Sequence, residues 1–203
     1  MDFFDIHTHH SVSDTAILSC HTAHIPQRIC SLGIHPWYID TDFMQQMEKM
    51  YSEKLPKNVV AIGEIGLDKN IQTPINIQQI IFKEQINIAE ERSLPIIIHC
   101  VRAWEELISI YKKSKKNTPW VIHGFRGKGT LASQLLRQGF YLSFGTHFHA
   151  EAVKAAWREK LFAETDEAPS IHAVYEHLSS TLGISTEELD HQIRHNVQAV
   201  FNL

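Results

Sequence analysis

Short apolar runs alternate with longer amphipathic stretches along the whole chain. The runs are FFDI (3–6), AILSC (16–20), RICSLGI (28–34), VVAIGEI (59–65), PIIIH (95–99), PWVIH (119–123), FYLSF (140–144) and KLFAET (160–165). Several are almost continuously apolar, the pattern of parallel strands covered on both faces rather than of half-wetted ones. Between them, DFMQQMEKMYSEK (42–54) repeats Phe43, Met47 and Met50 at helical spacing, and NIQQIIFKEQINIAEER (76–92) sets Ile77, Ile80, Ile81 and Ile88 along one predicted face. RAWEELISIYKK, KGTLASQLLRQ and AEAVKAAWREK are shorter versions, each filling one crossover. Eight strands with intervening helices predict an α/β fold of the (β/α)8 TIM-like barrel type, in a single domain over residues 1–203. The links after the first and second runs are only about eight residues long, shorter than a parallel crossover with its helix requires. The barrel is therefore expected to be trimmed at its first two βα units; a seven-stranded or open sheet is the alternative. Two C-terminal helices follow, one ending at Gly183 and one opening on a capping box with Ser185 as cap and Glu188 three residues on.

Composition narrows the setting. At 203 residues, with 43% hydrophobic and 21% charged residues, the chain has the make-up of a soluble globular domain. It carries no apolar run near the roughly 20 residues that span a bilayer, and MDFFDIHTHH lacks the basic start of a signal peptide, so a cytoplasmic protein is expected. Cys20, Cys30 and Cys100 form no CxxC pair and predict neither a disulfide framework nor a thiolate metal site. A net charge of −4 argues against a surface coated for nonspecific nucleic-acid binding. The unusual count is histidine, 14 residues, several of them at the ends of apolar runs.

Those run ends carry the candidate chemistry. In chain order they are His7 and His9, His35, Glu64 and Asp68, His99, His123 and Asp166. In a barrel, strand C-termini converge on one mouth. Imidazoles and carboxylates gathered there without cysteine suit zinc, manganese or magnesium. In an extended chain residues i and i+2 face the same way, so Asp5, His7 and His9 share a face while His10 points opposite, and Asp5 stands behind the imidazoles as an acceptor for them. Any one of these residues alone would be read as a surface or core histidine or a solvated strand-end carboxylate. Six run ends with the same class of residue are harder to attribute to chance.

DIHTH, GIHPW (33–37), AIGEIGLD (61–68), LPIIIHC (94–100), IHGFRG (122–127) and ETDE (164–167) occur in the order seen in TatD-family metal-dependent hydrolases. The resemblance covers roughly residues 3–169. It implies an amidohydrolase-like barrel and a deoxyribonuclease with DNA as substrate; no protein partner is implied, and the lack of a long apolar run predicts no membrane association. It also implies two divalent metal ions (Zn, Mg or Mn). By matching motif, His7, His9 and Asp166 resemble the ligands of one metal, Glu64 the bridging carboxylate, and His99 and His123 the ligands of the second. Glu64 and Asp166 are the expected catalytic carboxylates, Asp166 as ligand and general base. His35 is expected to touch substrate or support a ligand rather than bind metal. Arg102, Arg126 and Lys128 are candidate phosphate contacts, with a solvated basic turn as the competing reading. Trp37 could stack on a base, although packing is the more common use of one tryptophan. The chain departs from the family in ETDEAP, where Glu167 is inserted, in KNIQTP, which lacks paired aromatics, and in HGFRGKG, where Arg126 stands in place of a serine. The alternative function is hydrolysis of a small ester, lactone, amide or phosphoester on the same site.

Overall fold

The computed structural model describes residues 2–10, 13–21, 25–39, 43–52 and 54–203. Among these residues there are eight β-strands: β1 (Asp5–Thr8), β2 (Ala16–Cys20), β3 (Cys30–Leu32), β4 (Val59–Asp68), β5 (Ile96–Val101), β6 (Trp120–Ile122), β7 (Tyr141–Phe144) and β8 (Leu161–Ala163). The helices are α1 (Phe43–Ser52), α2 (Ile75–Arg92), α3 (Trp104–Lys113), α4 (Gly129–Gln138), α5 (Ala150–Ala156), α6 (Ile171–Leu182) and α7 (Thr186–Phe201). Among the described residues no helix lies between β1 and β2 or between β2 and β3, as the short links predict; the expected start of α1 at Asp42 lies outside them. A short 3-10 turn, Pro36–Tyr38, is an element the hydropathy pattern does not mark.

The chain forms two compact units, Met1–Leu18 with Trp120–Leu203, and Ser19–Pro119. In the first, β1 pairs in parallel with the start of β2, and β6, β7 and β8 pair in parallel in chain order. Beyond β8 the chain joins β1: Thr8 and Asp166 form a parallel bridge. Asp166 N–H donates to His7 O at 2.9 Å and His9 N–H to Asp166 O at 3.2 Å. Ile6, Ile17, Phe125, Phe144, Phe162 and Leu178 are buried in this unit's core, each contributing roughly 1.5–3 kcal/mol by leaving water.

The first strand differs from its expected span. It begins at Asp5, and the two phenylalanines before it dock α6 instead of extending the ladder. Phe3 stacks on Tyr175 with ring centroids 4.1 Å apart, and the Tyr175 hydroxyl donates to Phe4 O at 2.9 Å.

In the second unit β3, β4 and β5 are parallel neighbours, with Gly66 opposite His99. Gly66 has φ +152°, and a Cβ there would overlap the His99 carbonyl oxygen, so only glycine allows the two strands this approach. The buried face of α2 holds two of the four isoleucines expected on it, Ile81 and Ile88. Ile80 is exposed, while Gln78 and Gln85 are buried beside Ile81, Phe82 and Ile88. Gln85 accepts from Ile34 N–H (2.7 Å) and donates to Ile34 O (3.1 Å). Gln78 accepts from Asp68 N–H (2.7 Å) and donates to Asp68 O (2.9 Å). Seven residues apart, they lie on the same face of the helix. Gln78 thus closes the backbone groups at the end of β4, and Gln85 those of the residue just before His35.

Candidate metal centre

In the first unit His7, His9 and Asp166 come together, with one possible ligand atom from each within 4.8 Å of the others. His7 is fully buried, and its Nε2 lies 3.9 Å from Asp166 Oδ1; His9 Nε2 lies 3.7 Å from the same oxygen. Both distances exceed a hydrogen bond and suit a cation between nitrogen and oxygen at about 2.0–2.2 Å from each. Asp166 sits at φ 54°, in the left-handed region, a conformation a non-glycine residue keeps only where its surroundings hold it. Here the holding groups are its two backbone bonds to β1 and the brace on Thr165. Asp5 accepts from Thr165 N–H (3.1 Å) and from the Thr165 hydroxyl (2.6 Å).

Asp5 therefore does not serve as an acceptor behind the imidazoles. It takes the backbone N–H of His7 at 3.2 Å, and burial, only partly offset by these hydrogen bonds, pushes its carboxyl up to about 7. Both of its oxygens are taken up by Thr165 and the His7 backbone.

His123 lies against His7, ring centroids 4.2 Å apart, and its Nδ1 is 3.2 Å from Glu164 Oε1. That same oxygen accepts from Gly124 N–H at 2.6 Å. Glu164 is fully buried. Burial alone would raise its pKa, but His123, and His7 beyond it, hold it below the ordinary value. A carboxylate behind one ring nitrogen turns the other outward as a ligand. Residue-by-residue reading missed Glu164, which in sequence is one more acid in ETDE. The inserted Glu167 turns away from this group, its Oε2 lying 2.5 Å from His10 Nε2 in a pair whose two side chains are largely exposed.

In the second unit His35, Glu64 and His99 come together. Glu64 Oε1 lies 2.8 Å from His99 Nδ1 and 3.1 Å from His35 Nε2. His35 Nδ1 accepts from Trp37 N–H at 3.1 Å, which puts the proton of the neutral ring on Nε2. In that tautomer His35 can donate to Glu64 and orient it. His99 Nε2 lies 3.3 Å from Asp68 Oδ2. With that nitrogen donating to Asp68, the neutral ring turns its Nδ1 lone pair toward a carboxylate oxygen. Two acceptors stay 2.8 Å apart only with a proton between them or a cation that both ligate, so these residues fit a metal ion. Asp68 also accepts from Trp37 Nε1–H (2.7 Å) and Asn70 N–H (2.7 Å). Burial acts to raise its pKa, but these bonds and His99 keep it lowered. This is the local hydrogen-bonding role expected of it.

Of the candidate phosphate contacts, Arg102 is exposed at φ 55° just past β5, and Arg126 and Lys128 are exposed between β6 and α4. His147, in GTHFH, is exposed with its Nδ1 2.9 Å from the Thr146 hydroxyl. Trp37 is not a packing residue: it is 59% exposed.

Comparison with known proteins agrees with this geometry. The chain is 35% identical over 147 residues to YabD of Bacillus subtilis, described as a metal-dependent hydrolase; the match covers 67% of this chain and 57% of that protein. It is 27% identical over 175 residues to the deoxyribonuclease Tat-D of Schizosaccharomyces pombe, covering 75% of this chain and 56% of that one. The chain thus spans a little over half the length of these relatives. Among solved structures, the TatD homologue YjjV of Escherichia coli K12 superposes with a TM-score of 0.80 at 22% identity, over 93% of this chain and 86% of that one. That likeness assigns the fold to the α/β TIM-barrel class. The family model described as "TatD related DNase" matches residues 6–202, and the chain belongs to that family.

Proposed function

We propose that the chain is a divalent-metal-dependent phosphodiesterase acting on DNA, at an exposed end or on a single strand. The observation that carries this reading is the set His7, His9 and Asp166, whose nitrogens face one carboxylate oxygen at 3.7 and 3.9 Å. One ion is assigned to that group, beside which His123 lies, and one to Glu64 and His99. Zn, Mg and Mn all suit such ligands. Divalent ions bound there would lower the pKa of the attacking water and absorb the charge developing on phosphoryl and leaving oxygens.

The chain's own groups supply the rest. Asp166 keeps about 29% of its side chain open, so its carboxylate can accept the proton of an incoming water. Glu164 fixes His123, and His35 fixes Glu64, so neither supported group reorganises as charge develops. Arg126 and Lys128 are assigned to the substrate phosphate, Arg126 through its two-pronged guanidinium. Arg102 is assigned to the same task at the end of β5.

Labelled single- and double-stranded DNA incubated with Mg²⁺-, Mn²⁺- or Zn²⁺-loaded protein tests the proposal. Metal-dependent cleavage is expected, reduced about a hundred- to a thousandfold in Glu64→Ala, the scale set by losing a preorganised charge-stabilising group. Cleavage no greater than that of Glu64→Ala with every metal overturns it.

A further inference from the structure

Trp37 combines two properties that packing does not explain. Its indole edge is fixed, because Nε1–H donates to the buried Asp68 at 2.7 Å and its backbone N–H is held by His35 Nδ1 at 3.1 Å. Its ring is nevertheless 59% exposed, whereas Trp120 is buried and Trp104 and Trp157 are partly so. The ring stands 5.1 Å from that of His35 and 6.0 Å from that of His99, edge to face with both. A large flat apolar surface, held rigid and left open beside polar groups, marks a ligand-facing position.

We propose that Trp37 is the stacking platform for the nucleobase next to the bond that is cut, and so sets the preference for a nucleotide over a simple phosphoester. The inference rests on the phosphodiesterase reading of the same site. Stacking suits it because every base presents a π-face. The contact therefore adds affinity without demanding a sequence, and the low overall charge leaves little nonspecific electrostatic attraction to do that work. Preorganisation matters here: a ring already fixed by Asp68 loses little freedom when a base settles on it.

The probe is a short single-stranded oligonucleotide carrying 2-aminopurine at one end or the other, whose fluorescence is quenched on stacking. Its internucleotide bonds are phosphorothioates, which resist hydrolysis, so that binding to metal-loaded wild-type protein is read without turnover. Trp37→Ala should weaken binding about tenfold and abolish the quench, within the range stacking on one base is worth. Trp37→Phe should keep most of both, and its melting curve checks that the turn still folds. In parallel, kcat/KM is compared for substrates with and without a base beside the scissile phosphate, and for a p-nitrophenyl phosphodiester. Trp37→Ala should lose about tenfold on the first only. An unchanged quench in Trp37→Ala, or equal loss on base-bearing and abasic substrates, overturns the role of Trp37 whether or not DNA is cleaved. Failure of wild-type protein to cleave any DNA would sink the nuclease reading while the fluorescence still reports stacking.

Discussion

His7, His9 and His10 stand within four positions of one another and have three different environments. His7 is fully buried, His9 is about one-third exposed at the rim, and His10 pairs with Glu167 in solvent. The alternating geometry of an extended chain separates the first two from the third, and it does so here although the strand begins two residues later than its apolar run. His7→Ala and His9→Ala should each lose one bound ion per chain after metal loading and desalting, measured by elemental analysis. His10→Ala should retain full stoichiometry, because an exposed ion pair with Glu167 supports little beyond itself. Equal loss in all three would mean that the rim pair also ligates. Glu164 belongs to the same scale. Its neighbours in the chain mark it as one more acid in ETDE, and only its burial against His123 distinguishes it from Glu167.

At the scale of elements, α2 makes the difference between a pattern and a position. Its hydrophobic spacing is that of an ordinary amphipathic helix, yet two of its inward residues are glutamines that close the backbone groups of Ile34 and Asp68. Buried amides of this kind are costly unless both their donor and acceptor are used. Gln85→Met keeps the volume but leaves the Ile34 N–H and C=O without this partner. It should cost about 2 kcal/mol or more, since each unsatisfied buried group costs about 1–3 kcal/mol. For a chain of this size that lowers the thermal midpoint by roughly 4–8 °C. Chemical denaturation that finds less than about 0.5 kcal/mol would mean that water replaces the amide. The same substitution should weaken metal binding at the His35–Glu64–His99 group more than at the His7–His9–Asp166 group, because Ile34 directly precedes His35.

For the whole molecule, ion binding and folding are linked. Ions that bind the folded chain and not the unfolded one raise stability by about 2.7 kcal/mol at a hundred times their dissociation constant, roughly 5–10 °C in melting temperature here. Calorimetry should show that rise with Mn²⁺ or Zn²⁺, its reversal by a chelator, and a smaller rise in His7→Ala. An unchanged midpoint in wild-type protein at saturating metal would count against any site of useful affinity.

The sequence by itself determined the order of the eight strands and their helices, the absence of helices from the first two links among the described residues, and the gathering of histidines and carboxylates at strand ends. Local alternation and chain connectivity are enough to specify these. They also separated His7 and His9 from His10. What the tertiary structure decided is every choice that depends on a neighbour distant in the chain. Asp5 braces Thr165 instead of an imidazole, because the parallel bridge between Thr8 and Asp166 lays that backbone beside β1. Glu164, not Glu167, supports a histidine. The glutamines of α2 face inward beside Ile81 and Ile88, where they pair with the backbone groups of Ile34 and Asp68. Trp37 lies open because Asp68 holds its nitrogen at one edge. Period and composition report how much of a chain is buried; which polar group finds which partner is settled only when the strand ends meet.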